Sequence, residues 1–143
     1  MPKNPRHRVA TKLVRAAIER RLPEAWYVDS QEPITIGNSE PEPDVVVVRG
    51  DTRQYLDRHP GPADIGLVVE VSDTTLNRDR GVKKQAYARA GISIYWIVNL
   101  VDSQVEMYSQ PSGTEADYLQ RQDYGLLANL PIILDGNSLG TVN

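Results

Sequence analysis

The chain has no cysteine. Neither a disulfide framework nor a thiolate metal site is open to it, and a reducing cytoplasm is the expected compartment. It also lacks any apolar run near the roughly 20 residues that cross a bilayer, and its N-terminus, MPKNPRHR, has no apolar core of the signal-peptide kind. A soluble cytoplasmic protein without a membrane partner is expected. No glycine-rich phosphate loop, no HExxH and no serine in a nucleophile-elbow setting occur. Internal repeats and low-complexity tracts are absent too.

What is present is one core's worth of chain. With 143 residues, 40% of them hydrophobic, the length suits one domain and is short for two. The net charge of −3 is unevenly spread: residues 1–22 hold Lys3, Arg6, Arg8, Lys12, Arg15, Arg20 and Arg21 against Glu19 alone. A basic flank on an acidic domain fits a protein that meets phosphates on one surface and cations in a nearby cleft. A solvated helix face accounts for the same charges equally well.

Val9, Leu13, Ala16, Ala17, Ile18 and Leu22 recur at three- and four-residue steps, which predicts an amphipathic helix from Arg6 to about Leu22, ended by Pro23. AWYVDS and EPITIG predict two short strands, or one bent strand, from Ala25 to Ile36, before a turn at Gly37, Asn38 and Ser39. PEPDVVVV predicts a strand buried on both faces, with Asp44 at its mouth. Gly50 to Pro62 reads as a surface loop with a helical turn around Tyr55. LVVEVS is the next strand, and Glu70 points where Val68 points.

A helix is then expected from about Asp79 to Ala90, stopped by Gly91, with Gly81 weakening its first turn. On it Lys83, Ala86, Tyr87 and Ala90 share one stripe, so Lys83 faces the core. ISIYWIVNL and QVEMYSQ form a hairpin, ADYLQRQDY an edge strand, and LPIIL a short apolar closer. The strand–helix–strand unit from LVVEVS to ISIYWIV makes those two strands parallel, while the hairpins are antiparallel. The expected fold is α/β with a mixed sheet.

Three polar residues stand out of place: Asp44 at a strand start, Glu70 inside a buried strand, and Lys83 on the inner face of a helix. A buried unpartnered carboxylate costs several kcal/mol or stays protonated. Pairing Glu70 with an arginine or with Lys83 would satisfy it structurally, and an Asp after Pro is commonly a turn cap. Taken together the three point to a metal site, since two carboxylates on adjacent strands suit Mg²⁺. A lysine there would position water or neutralise a phosphate. His7 reads first as an exposed helix cap and only second as a phosphate contact; His59 carries no assignment. Trp26, Trp96 and the tyrosines read as core.

PEPDVVVVRG, LVVEVSDTT, DRGVKKQAYARAGI and YWIVNL, in that order, resemble successive blocks of the Uma-type restriction endonucleases, a bacterial family of the PD-(D/E)xK nuclease superfamily. The resemblance implies a restriction-endonuclease-like domain over residues 5–143, with a mixed sheet flanked by helices. It implies hydrolysis of DNA phosphodiester bonds with Mg²⁺ or Mn²⁺. Asp44, Glu70 and Lys83 would be catalytic, the metal would be held by Asp44, Glu70 and the Val71 carbonyl, and Gln31 matches a secondary polar position. Arg8, Lys12 and Arg15 would touch the nucleic-acid backbone.

The superfamily lysine usually stands two residues after the acid; that place is Ser72 here, and Lys83 matches the displaced lysine four residues before Tyr87. Two departures accompany this. The chain starts almost at the first helix and so looks shortened relative to the family, and the acid that usually precedes the YW pair is Ile94. Double-strand cutting usually needs two sites, which a symmetric homodimer would supply. The alternative is a degenerate module that keeps the fold and binds nucleic acid or a protein partner.

Overall fold

The computed structural model describes residues 4–125 and 130–142. Asn4 opens the first helix, its side chain accepting the His7 amide at 2.8 Å, and Pro5 costs nothing at a position whose N–H has no helical partner. The helix α1 spans Pro5–Glu19. It ends one turn before the expected Leu22, because Arg20 and Arg21 close into a turn. Ile18, Ala10, Val14 and Ala17 pack on the core, while Val9 and Leu13, expected on that face, are exposed.

The strands β1 (Trp26–Asp29), β2 (Val45–Arg49), β3 (Ile65–Ser72), β4 (Ile94–Asn99), β5 (Gln104–Ser112) and β6 (Asp117–Gly125) form one sheet in chain order. All neighbours are antiparallel except β3 and β4, which are parallel. The crossover between them holds α2 (Leu76–Arg80) and α3 (Val82–Ala90). A separate ribbon of β7 (Leu130–Leu134) and β8 (Asn137–Val142) covers the sheet with Leu130, Ile132 and Leu134.

Period-two alternation divides the sheet into two cores. Val45, Val47, Leu67, Val69, Val71 and Trp96 face α1 and β7, whereas Val46, Val48, Val68, Tyr95 and Ile97 face α3 with Tyr87, Tyr108 and Tyr118. The four valines of β2 are each at most 1% exposed, so burying each contributes roughly 1.5–3 kcal/mol. Both faces of β2 are covered, by α1 and β7 on one side and by α3 on the other, as its unbroken apolar run requires.

Three elements differ from expectation. QEPITI is not a strand: Gln31 has φ 58°, Pro33 has no N–H to give, and the segment is pinned by Gln31 N to Pro43 O at 2.9 Å and Ile34 N to Pro41 O at 3.0 Å. The helix expected from Asp79 begins at Leu76 and is broken at Gly81, where φ is −105° and ψ −101°. A Cβ at position 81 would stand 2.9 Å from the Asn77 carbonyl oxygen, so this corner needs glycine. LPIIL does not close the fold alone, since β8 pairs with it. Gly91 ends α3 in the left-handed conformation, as expected.

Candidate active site

The C-terminal end of β3, the mouth of β2, α2 and the first turns of α1 and α3 enclose a cleft of about 220 Å³ lined by His7, Glu42, Asp44, Glu70, Val71, Asp73, Arg78, Asp79 and Lys83, among others. Asp44 precedes β2 by one residue and is 8% exposed. Its Oδ2 accepts from the Val71 amide at 2.8 Å and lies 3.1 Å from His7 Nε2. Its own amide donates to Glu70 Oε1 at 3.2 Å. The two carboxylates are thus stitched together through backbone amides of neighbouring strands. A charged acceptor on an N–H is among the stronger hydrogen bonds, so this stitching fixes both.

Glu70 is 2% exposed and sits on the α3 side of β3. Its Oε2 accepts from Lys83 Nζ at 3.1 Å and from the Tyr87 hydroxyl at 2.9 Å. Burial pushes its carboxyl up to about 7; the Lys83 charge works against that rise, while Asp44 and Asp79 add to it. Lys83 is held above the ordinary lysine value: burial lowers it, and the charges of Glu70 and Asp79 more than offset that loss. At neutral pH Lys83 is therefore a cation and not a base. The predicted helical stripe does bring Lys83 and Tyr87 to the same carboxylate.

Two further residues belong to the cleft. His7, expected as an exposed cap, is instead tucked against Asp44 with its side chain 13% exposed, and its Nδ1 is buried without a hydrogen-bond partner. Asp79, expected only as a helix start, is 1% exposed; its Oδ2 accepts from the Ser72 hydroxyl and from Thr75 Oγ1. A capping-type acid followed four residues later by lysine was a visible signal for the second. For His7 nothing local gave a signal, since its partner is 37 residues away.

The remaining expected residues fall elsewhere. Val71 lines the cleft and gives its amide to Asp44. Gln31 does not line it, and its main chain braces Pro43. Arg8 and Lys12 are exposed on α1 outside the cleft lining. Arg15 is engaged with Ser30 Oγ at 3.2 Å and the Val28 carbonyl at 3.4 Å. Arg6 and Asn4 tie the start of α1 to Asp73, which holds His7 at the rim.

The donor set decides what the cleft can hold. Among the described residues no three His, Asp or Glu side chains cluster as a ready ligand set. Asp44 and Glu70 open on one cleft where five carboxylates (Glu42, Asp44, Glu70, Asp73 and Asp79) face Arg78, Lys83 and His7. Carboxylate oxygens without thiolates, with room for water, fit a hard divalent cation such as Mg²⁺, which takes only one or two carboxylates from protein. No helix among the described residues is long and apolar enough to cross a membrane.

The fold has solved counterparts. A crystal structure of a putative nuclease belonging to DUF820 from Anabaena variabilis ATCC 29413 superposes with a TM-score of 0.61 at 12% identity, covering 86% of this chain and 68% of that one. At that identity the likeness speaks for the fold alone, a mixed α/β unit. A comparison with curated proteins returns no match. The family assignment rests on nearly the whole chain: a family model described as "Putative restriction endonuclease" matches residues 1–138 of 143, and the chain belongs to that family, Uma2.

Proposed function

We propose that the protein is a divalent-metal-dependent endonuclease that hydrolyses DNA phosphodiester bonds in the cleft between β2, β3 and α3. The observation that carries this reading is the excess of carboxylates around a buried, destabilised Glu70. An anionic phosphodiester would be repelled from such a cleft unless a cation neutralised it. Asp44 and Glu70 would hold that cation, with the Val71 carbonyl as a further oxygen at the same end of β3. When bound, Mg²⁺ or Mn²⁺ supplies Lewis acidity at the scissile phosphate and acidifies water.

The chain's own residues supply orientation and charge. Lys83, cationic at neutral pH, would orient the attacking water and balance negative charge developing on the phosphate. Tyr87 donates to Glu70 Oε2 beside Lys83 and so helps to fix the carboxylate's orientation. His7 lies within reach of Asp44 and of a substrate entering along α1, where Arg8 and Lys12 would meet the backbone phosphates. Arg15, already bonded to β1 and the residue after it, would act by holding α1 in place. A homodimer would place two such sites on the two strands of a duplex.

Calorimetry with Mn²⁺ tests the site: binding is expected for the wild type and lost in Glu70→Ala, and unchanged binding would overturn the assignment. A duplex-cleavage assay with Mg²⁺ or Mn²⁺ tests the reaction. Lys83→Ala is expected to lower turnover by about 10²–10³, and cutting that persists equally in that variant would sink it.

A further inference from the structure

We infer that Asp79 is a positioning residue that aims the Lys83 ammonium into the cleft, and that Ser72 and Thr75 set Asp79 for this task. The inference rests on the proposed role of Lys83. A lysine ammonium sits on a flexible four-carbon stem and loses rotamer freedom when fixed. Glu70 alone holds Lys83 by one hydrogen bond, and a cation held by Glu70 would repel the ammonium and weaken that bond. Something else must keep the ammonium in place when that happens.

Asp79 has the geometry for it. It lies four residues before Lys83, across the Gly81 corner, with Oδ1 3.6 Å from Nζ. Its other oxygen is taken by the hydroxyls of Ser72 and Thr75. Oδ1 is left buried with no hydrogen bond, facing the ammonium. The backbone around it is also fixed: the Asp79 carbonyl accepts the Tyr95 hydroxyl at 2.9 Å, its amide donates to Thr75 O at 2.9 Å, and the next residue, Arg80, is clamped on Glu106. A buried carboxylate oxygen without a hydrogen bond is costly. Its position is explained if its partner is the lysine charge.

The test compares wild type, Asp79→Asn, Ser72→Ala, Lys83→Ala and the double variant Asp79→Asn with Lys83→Ala. Two quantities are read: turnover and KM on duplex DNA with Mg²⁺, and NMR relaxation of the Lys83 Cε in metal-free protein. Asp79→Asn and Ser72→Ala are expected to lower turnover by about tenfold to a hundredfold with KM changed less than about twofold. In both, the Lys83 side chain becomes as mobile as exposed Lys12. In the Lys83→Ala background Asp79→Asn should cost nothing further.

Unchanged Lys83 relaxation in both variants overturns the inference, as does an Asp79→Asn loss that is the same with and without Lys83. If the wild type cuts no DNA, the proposed reaction fails, and the relaxation comparison alone decides whether Asp79 positions Lys83. Should Asp79→Asn melt too low to study, Ser72→Ala, which removes one hydroxyl, gives the same readouts.

Discussion

Glu70 and Glu106 occupy one row of the sheet. Glu70 is in register with Ile97 on β4, and Ile97 with Glu106 on β5, so both side chains leave the same face. Both are fully buried, at 2% and 0% exposure. Their surroundings push them in opposite directions. Burial would raise Glu106, but hydrogen bonds from Arg80, Tyr108, Asn99 and Gln104 hold it down at about 2, with Arg121 3.5 Å away. For Glu70 burial dominates, and its carboxyl is pushed up to about 7. Glu106 is surrounded by donors, as a carboxylate that serves the fold should be, whereas Glu70 has fewer, which is what the proposed cation-binding role requires.

The largest expected effect breaks the pair apart by stability. Glu106→Ala removes the acceptor of four side chains and leaves Arg80 facing buried, unpaired groups, which should cost about 3–5 kcal/mol. Glu70→Gln removes a charge whose burial is poorly offset, and at pH 7 should not lower stability and should raise it by up to roughly 2–3 kcal/mol. Urea unfolding at pH 7 measures both. Equal losses at the two positions would erase the distinction between a structural and a waiting carboxylate.

The same contrast is expected in the pH dependence, with somewhat smaller size. For Glu106 the folded value, about 2, lies below the ordinary 4.5. Its contribution is therefore present above 4.5 and lost as pH falls toward 2, roughly 2–3 kcal/mol in all. For Glu70 the folded value, about 7, lies above the ordinary 4.5. Its protonated form favours folding below 4.5, and that advantage is lost as pH rises through 7, again by roughly 2–3 kcal/mol. Wild type minus Glu70→Gln stability, measured from pH 4 to 8, should therefore fall with pH. Millimolar Mg²⁺ should flatten the fall, because a cation on Glu70 favours its ionised form. A flat difference without metal would mean that Glu70 ionises normally.

Much of this was legible in the sequence for reasons the two glutamates make plain. Glu70 stands in an unbroken apolar run, where any acid is anomalous, and helical spacing brought Lys83 and Tyr87 to it. Glu106 stands in QVEMYSQ, where alternation assigns an acid to a wetted face; only the placement of α2 shows that Arg80 covers it. His7 was missed for the same cause, since its contact with Asp44 is set by how α1 lies across the sheet ends. In sequence Asp79 reads as a helix start, because the break at Gly81, a corner made by one residue, leaves no periodic trace. The strand β8, NSLGTV, is too polar and glycine-containing to announce itself without β7 beside it.

The smallest effect separates the cations that serve the two acids. Arg80 makes three contacts within hydrogen-bond distance of Glu106, two from Nε and one from Nη2, while Lys83, exposed to the same one-third extent, makes one to Glu70. If the Glu70–Lys83 pair existed to hold the fold, Lys83→Met would strand a buried charge and cost about 3–5 kcal/mol. Glu70 instead keeps the Tyr87 hydroxyl and the Asp44 amide as donors, and at pH 6 it can take up a proton, so the loss should stay below about 1 kcal/mol. Arg80→Met, measured beside it by the same unfolding curves, should cost about 3 kcal/mol because Glu106 has no such escape from its charge. A Lys83→Met loss as large as that of Arg80→Met would return the Glu70–Lys83 pair to a purely structural role, and small loss with abolished cleavage would leave its purpose in the chemistry of the cleft.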